Sequence, residues 1–374
     1  MTQAVEELTE GAARRLRIRG QLLDSRLPAS RGPAQVAATL VGVQAQDLVA
    51  ASLSIRARTE GLVVGDVERA ATDPASHPLV LTWTLRGTRH LHHAADVRWL
   101  LAMVGPRFFR PGARQQQLGV AGTTGDRAVQ VLADALAGGA RPTRRDVADL
   151  LAGHGVDPTG QAPIHVIRRA ALEGVLCILP GPGGDARRER YVSLDRWVPE
   201  ISADRPGVSQ LVRRYLAAYG PATPNDLVAW SGLAPGVVAT GWREVSDDDE
   251  LLEVRIPNGP AWRLAAHCPP DPGPVATRLL GAFDTLILGY ADRSLHLHPD
   301  HARAVNAGGG RIKPVVVTDG RVVATWKLRR AQGTVQCEVT PFPATPGRAD
   351  TEVEVDVEVE VEVEVDDIER FLRA

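Results

Sequence analysis

Apolar residues recur at helical spacing early in the chain, where Leu16, Ile18 and Leu22–Leu23 give residues 12–23 one partly buried face. After a break rich in proline, serine and glycine, residues 33–42 and 48–58 read as two further helices, and 64–71 as a short one. The pattern then changes: residues 78–92 hold two β-rich runs split by Arg86-Gly87, which predicts a hairpin. Helices followed by a two-stranded wing is the order of a winged helix. It returns twice. Thr143 can cap a helix over residues 146–153, a second helix over 162–173 stops at Gly174, and strands 175–179 and 190–194 flank the Gly/Pro-rich loop 180–185. Residues 209–219, 223–232 and 234–243 then give three helices, and 251–256 with 261–265 a hairpin across Pro257-Asn258-Gly259-Pro260.

From Val275 onward the pattern is mixed: an apolar run, Arg293, a histidine-rich segment and Gly308-Gly309-Gly310. Residues 313–317 and 321–327 around Asp319-Gly320 predict a hairpin, and 336–340 another strand. Residues 352–366 alternate acid and valine without a miss, which predicts a strand continuing that sheet with its valines inward. Its register is weakly specified, because every shift by two again sets valine against valine. A flexible acidic tail competing with DNA for a basic surface is the second reading of the same stretch. The fold expected is α+β: three tandem winged helix-turn-helix motifs over residues 1–115, 125–200 and 205–268, then a β-rich segment over 275–374.

At 374 residues the chain is long for one core. A hydrophobic content of 44% and charged content of 24% suit a soluble globular protein, no apolar run approaches the ~20 residues that span a bilayer, and the acidic start carries no secretory signal. Three scattered cysteines without CxxC spacing point to a reduced, cytoplasmic setting. The net charge of −2 conceals an asymmetry. Residues 351–374 hold ten of the 45 acids and two of the 43 basic residues, leaving an excess of six positive charges elsewhere. Nearly all of that charge is arginine, with lysine only at Lys313 and Lys327. The forked guanidinium suits phosphates and base edges, and Arg168, Arg169, Arg213 and Arg214 are candidate phosphate contacts.

His296-Leu-His298-Pro-Asp300-His301 spells a zinc-hydrolase motif, yet that chemistry needs further ligands downstream and no histidine follows His301. No metal and no cofactor is expected: Ser-His-Asp order, GxSxG and a phosphate-cradling glycine loop are all missing. His90-Leu-His92-His93 reads as the polar face of a wing strand. There remains Val43-Gln44-Ala45-Gln46-Asp47, between two helices. Its two amides share a side if the backbone is extended and diverge if it is helical. Both donate and accept, so together they can hold a water against a ligand. Asp47 is either a stronger base or a helix cap.

Taken in order, Gln44-Ala45-Gln46-Asp47 with Arg56 and Arg58, residues 84–91 (TLRGTRHL), residues 219–223 (YGPAT), Asp226, residues 230–233 (WSGL), Phe283-Asp284, Arg293 and residues 319–326 (DGRVVATW) resemble the AlkZ-like winged-helix DNA glycosylases. The resemblance implies three tandem winged helices around a basic concave surface for duplex DNA, with Gln44 and Gln46 catalytic in its cleft. It also implies a β-hairpin in the cleft, placed within residues 291–312, and makes Arg56, Arg58, Arg86, Thr88 and Arg293 DNA-contact candidates beside the four arginines above. The Val/acid repeat departs from the family pattern.

The function so implied is monofunctional hydrolysis of the N-glycosidic bond of N7-alkylated purines, interstrand crosslinks included, by a monomer in the cytoplasm at the nucleoid, away from membranes. Alkylation at N7 makes the base cationic and its bond weak, so orienting a water demands more than basicity. The other class is a non-catalytic winged-helix DNA binder or transcription regulator, since fold alone does not decide function.

Overall fold

The structure, a computed structural model, describes residues 5–73, 78–108, 112–198, 206–266, 275–331, 334–343 and 354–373. Its contacts form two compact units that cut across the four consecutive segments read from the sequence. One takes residues 1–67, 208–230 and 234–374, the other 68–207 and 231–233.

In the first unit Thr9 starts helix Glu10–Gly20 by accepting from the Ala12 N–H at 3.2 Å. Helices Gly32–Thr39 and Leu48–Arg56 follow, and the division between the units falls within Val64–Thr72. Helix Val208–Tyr219 packs against Glu10–Gly20 so closely that a Cβ on Gly20 would lie 2.5 Å from the Ala218 carbonyl oxygen. Helix Pro224–Ser231 opens with a reciprocal cap: the Asp226 N–H donates to Thr223 Oγ1 at 3.1 Å, and the Thr223 N–H to Asp226 Oδ2 at 2.9 Å. After helix Pro235–Asp247, strands Leu251–Ile256 and Gly259–Leu264 pair from Ile256↔Gly259 to Leu251↔Leu264, so the turn is the two residues Pro257-Asn258. Strands Arg278–Leu280, Val315–Thr318, Arg321–Ala331 and Thr334–Pro341 form an antiparallel sheet in chain order. Ile18, Leu280, Leu286, Val315 and Val317 fill one core cluster between the N-terminal helix and this sheet.

The acid–valine repeat is not a strand. Residues Glu354–Arg373 form one 20-residue helix. A strand would present every carboxylate on a single face, whereas a helix brings Glu360, Glu364 and Asp367 to one side, where basic and backbone donors await them. Glu364 Oε2 accepts from Arg56 at 2.9 Å and pairs with Arg26, Asp367 Oδ2 accepts from both arginines at 3.0 Å, and Glu360 accepts from the Thr277 N–H at 2.9 Å. Ile368 and Phe371, beyond the repeat, are fully buried on the same side, while Val359 and Val363 stay 60% and 63% exposed. Burial of the repeat's valines therefore did not choose this conformation; the arginines needing counter-charges, with Ile368 and Phe371 buried beyond the repeat, favour the helix. The tail is a folded part of its unit, which also corrects the reading of a flexible tail over this span.

In the second unit, Leu79–Trp83 and Arg89–His93 form the expected hairpin, with Leu79↔His93 and Trp83↔Arg89 in register. Leu81↔Ile178 joins it antiparallel to the hairpin Leu176–Leu179/Arg190–Ser193. Helices Arg144–Ala152, capped by Thr143, and Ala162–Leu172 fall where expected. Helices Ala94–Phe108 and Gly122–Ala137 had no counterpart in the reading of the sequence. The first is apolar on too many sides to show a clear stripe. The second buries Ala128, Val129, Leu132 and Leu136 at helical spacing, a signal that was available. Cys177 and Cys337 are free thiols, and Cys268 lies outside the described residues. Among the described residues no helix is long and apolar enough to cross a membrane.

Candidate active site

Helix Gly32–Thr39 stops in a turn in which the Gly42 N–H reaches the Ala37 carbonyl at 2.8 Å and Val41 takes φ 56°. Glycine normally holds that position. A β-branched residue there is strained by about 1–3 kcal/mol and is held only by its surroundings; Val41 is fully buried. The strained turn releases directly into the extended pair Val43–Gln44, so Gln44 emerges from a rigid corner. Gln44 is buried to 8% exposure and Ala45 completely, while Gln46 and Asp47 are exposed in the bend that opens helix Leu48–Arg56. The extended alternative of the sequence thus holds for Gln44, and the chain bends at Gln46. Asp47 is the helix cap: its Oδ1 accepts from the Ala50 N–H at 3.0 Å.

Beneath this bend the helix is clamped by two buried ionic groups. Arg58 donates to both oxygens of Asp284, at 2.8 and 2.9 Å, and Ser54 Oγ donates to Asp284 Oδ2 at 2.7 Å. Burial opposes charge on Asp284, but the Arg58 charge and the donors Arg58, Leu286 N–H and Ser54 outweigh it, leaving the carboxyl below its usual range. Arg56 donates to Glu364, Asp367 and the Leu279 carbonyl. Burial, with the repulsion of Arg26, lowers its pKa to about 10, still cationic at neutral pH.

Arg56 and Arg58 are each 0% exposed, which corrects their reading as DNA contacts. A guanidinium enclosed by carboxylates inside the fold cannot reach a phosphate. Asp284, Glu364 and Asp367 are the partners that sequence reading missed. Phe283-Asp284 was visible as a shared piece without its role, and the acids of the tail were hidden in the repeat.

Gly281 completes the platform. A Cβ there would lie 2.4 Å from the carbonyl oxygen of Ala50, in the first turn of the clamped helix. Gly281→Ala is expected to destabilise the protein by about 1–3 kcal/mol through overpacking and to reduce activity by displacing the start of that helix. Denaturant midpoints beside turnover measure both, and an unchanged midpoint would show the contact to be slack.

The remaining candidates divide by environment. Arg169 is held by Asp126 at 2.5 Å and Glu173 at 2.6 Å, and Arg213 by Asp248 at 2.5 Å and Glu250 at 2.8 Å. Two carboxylates lie against each guanidinium at the surface, and phosphate contact by Arg169 and Arg213 stays a proposal. Arg214 bonds the Ala38 carbonyl. Arg168 donates to the Gly87 carbonyl at 3.2 Å across the turn carrying Arg86 and Thr88, which brings those three candidates together. Arg86 takes φ 53°, and Thr88 Oγ1 donates to the Leu85 carbonyl at 3.1 Å. Arg293 donates to Asn306 Oδ1 at 3.2 Å, and burial lowers its pKa. Asn306 makes an isolated antiparallel bridge to Ile312 around Gly308-Gly309-Gly310, within residues 291–312, the span to which the resemblance assigns a hairpin. Arg303, Arg311 and Lys313 around it are exposed.

The histidines take structural places. His296 is fully buried with Nδ1 2.7 Å from the Gly320 carbonyl, and burial drives its pKa down to about 3. His301 stacks on Phe342 at 4.4 Å. On the hairpin His90 and His92 point inward, with His92 Nε2 2.6 Å from Thr84 Oγ1, so this face is buried where a solvated wing face was expected. Among the described residues no three metal-ligating side chains gather.

Residues 37–371, a span containing both glutamines and the clamp, match the family described as DNA glycosylase AlkZ-like. An interstrand DNA cross-link repair glycosylase of Streptomyces sahachiroi is 30% identical over 351 residues, covering 88% of this chain and 89% of that protein. The solved structure of Streptomyces sahachiroi DNA glycosylase AlkZ superposes with a TM-score of 0.79 at 26% identity, over 98% of this chain and 97% of that one. Match and superposition both run nearly end to end, and the chain belongs to the AlkZ-like DNA glycosylase family.

Proposed function

We infer that this protein is a monofunctional DNA glycosylase that hydrolyses the N-glycosidic bond of N7-alkylated purines in duplex DNA, interstrand crosslinks included. The observation that carries the reading is Gln44-Ala45-Gln46, presented between a strained turn and a helix clamped from below, in a chain of this family. In the proposed step a water held by the two amides attacks C1′ as the C1′–N9 bond breaks. The bond electrons leave with the cationic base, which departs neutral, and the proton of the attacking water passes to solvent. The amide carbonyls face the positive charge that grows on the sugar. Neither amide is a base of useful strength, and an activated leaving group requires none. Of the two lysine side chains, Lys327 is paired with Glu338 at 2.8 Å.

The reading keeps three winged-helix motifs as the frame. It assigns duplex contacts to Arg86, Thr88, Arg168, Arg169, Arg213, Arg214 and Arg293, and gives the segment bridged by Asn306 and Ile312 to the DNA. The relative named for crosslink repair supports crosslinks as the lesion class. Incubating the protein with duplexes carrying N7-methylguanine or a nitrogen-mustard crosslink should release base and leave abasic sites. No release with enzyme in excess over either lesion would defeat the reading and favour a DNA-binding role.

Asp47 distinguishes this mechanism from one with a carboxylate base. Asp47→Asn keeps the cap and should retain nearly full base release, whereas Asp47→Ala should lose about 1 kcal/mol of stability with the cap and only a few-fold in rate. A loss in Asp47→Asn as deep as in the glutamine variants would reassign the water to Asp47.

A further inference from the structure

In the second unit Arg114, His165 and Arg168 make no ion pair with any carboxylate among the described residues. Arg114 donates from Nε and Nη2 to Gln161 Oε1, at 3.2 and 2.9 Å. Gln161 is the N-cap residue of helix Ala162–Leu172, and its side chain caps none of the helix N–H groups. A guanidinium is thus fixed at the positive end of a helix dipole, where a carboxylate would be the stabilising choice. His165 and Arg168 continue along the same helix face, four and seven residues after Gln161. Gln115 Oε1 accepts from the Gly112 N–H at 3.0 Å, which orients its amide so that Nε2 donates to His165 Nδ1 at 3.2 Å. The imidazole therefore carries its proton on Nε2, as a donor. Burial, then the Arg168 and Arg114 charges, hold His165 below its ordinary pKa. The acids of these elements are committed elsewhere: Asp126 and Glu173 to Arg169, and Asp157 to the N–H and hydroxyl of Thr159. Such a group is self-repelling until an anion joins it.

We propose that Arg114, His165 and Arg168 form a seat for the phosphodiester backbone of duplex DNA. This rests on the protein acting on DNA, and it adds Arg114 and His165 to the contacts named above. A phosphodiester beside the imidazole favours its cationic form, whose new Nδ1–H requires the Gln115 amide to turn its Oε1 from the Gly112 N–H to His165, so binding takes up a proton as the pH falls toward the ordinary histidine value, and affinity rises with it.

The test is binding of the full chain to a fluorescein-labelled undamaged duplex, followed by anisotropy across series of salt and pH. Arg114→Gln and Arg168→Gln should each weaken binding several-fold and reduce the slope of log affinity against log salt by about 0.9, while Arg114→Lys keeps the slope. His165→Gln should flatten the pH dependence without shifting the melting temperature. Unchanged slopes in both glutamine variants, or saturation of the seat by inorganic phosphate without loss of duplex binding, would overturn the proposal. Base release from an N7-methylguanine duplex, assayed alongside, separates the two ideas. Release without a change of slope sinks the seat alone, a change of slope without release sinks the glycosylase alone, and no duplex binding sinks both.

Discussion

Replacing Gln44 and Gln46 together by alanine is expected to lower single-turnover base release from N7-methylguanine duplex by about 10²–10³-fold, the range seen when one preorganised polar group is removed from a reacting centre. Each single variant should fall part of the way, and the two losses should not add, because one amide without the other no longer fixes the water. Stability should change little at Gln46, which is exposed, and more at Gln44, which is buried at 8% exposure. Gln44→Glu is the informative companion. A carboxylate there could attract the charge on the sugar as well as orient water, so it should keep more activity than alanine. Full activity in the double alanine variant, with the protein folded, would remove the amides from the mechanism altogether.

The largest effect on stability is expected at Arg58. Arg58→Met leaves the Asp284 carboxylate, 1% exposed, without its cation, and stranding one member of a buried pair costs about 3–5 kcal/mol. The double variant Arg58→Met/Asp284→Leu should recover much of that loss, since an apolar pair of similar volume carries no desolvation penalty. Denaturant midpoints for the two variants decide it. Equal losses in both would mean that Asp284 matters mainly through its bonds to Ser54 and the Leu286 N–H.

The same groups set the response to acid. Asp284 titrates below its ordinary value in the folded state, so its contribution is complete above the usual carboxylate range and is lost as the pH falls through the lowered value. His296, held to about 3 by burial, acts from a higher pH. Below about 6.5 the unfolded chain binds a proton that the folded chain refuses, so stability declines by about 1.4 kcal/mol per pH unit toward the folded value. Stability should therefore begin to fall near pH 6.5 and steepen below 4. His296→Phe, which fills the site without a titrating group, should remove part of the first decline, and an identical profile in that variant would exclude His296 as its source.

Period and punctuation alone determined most of the helices and hairpins. Thr143, the Arg86-Gly87 turn and Asp319-Gly320 mark boundaries through local backbone chemistry, which acts within a few residues and is therefore written locally. The motif Gln44-Ala45-Gln46 was equally legible, as was the alternative that Asp47 caps the following helix. Tertiary structure decided the rest. The acid–valine repeat has the period of a strand, and it becomes a helix because Arg26 and Arg56 stand where only helical spacing delivers Glu364 and Asp367 together. Arg56 and Arg58 look in sequence like any DNA-facing arginines. Their carboxylate partners lie more than two hundred residues away along the chain, and the charge left to an arginine depends on what folds against it, which no local pattern records.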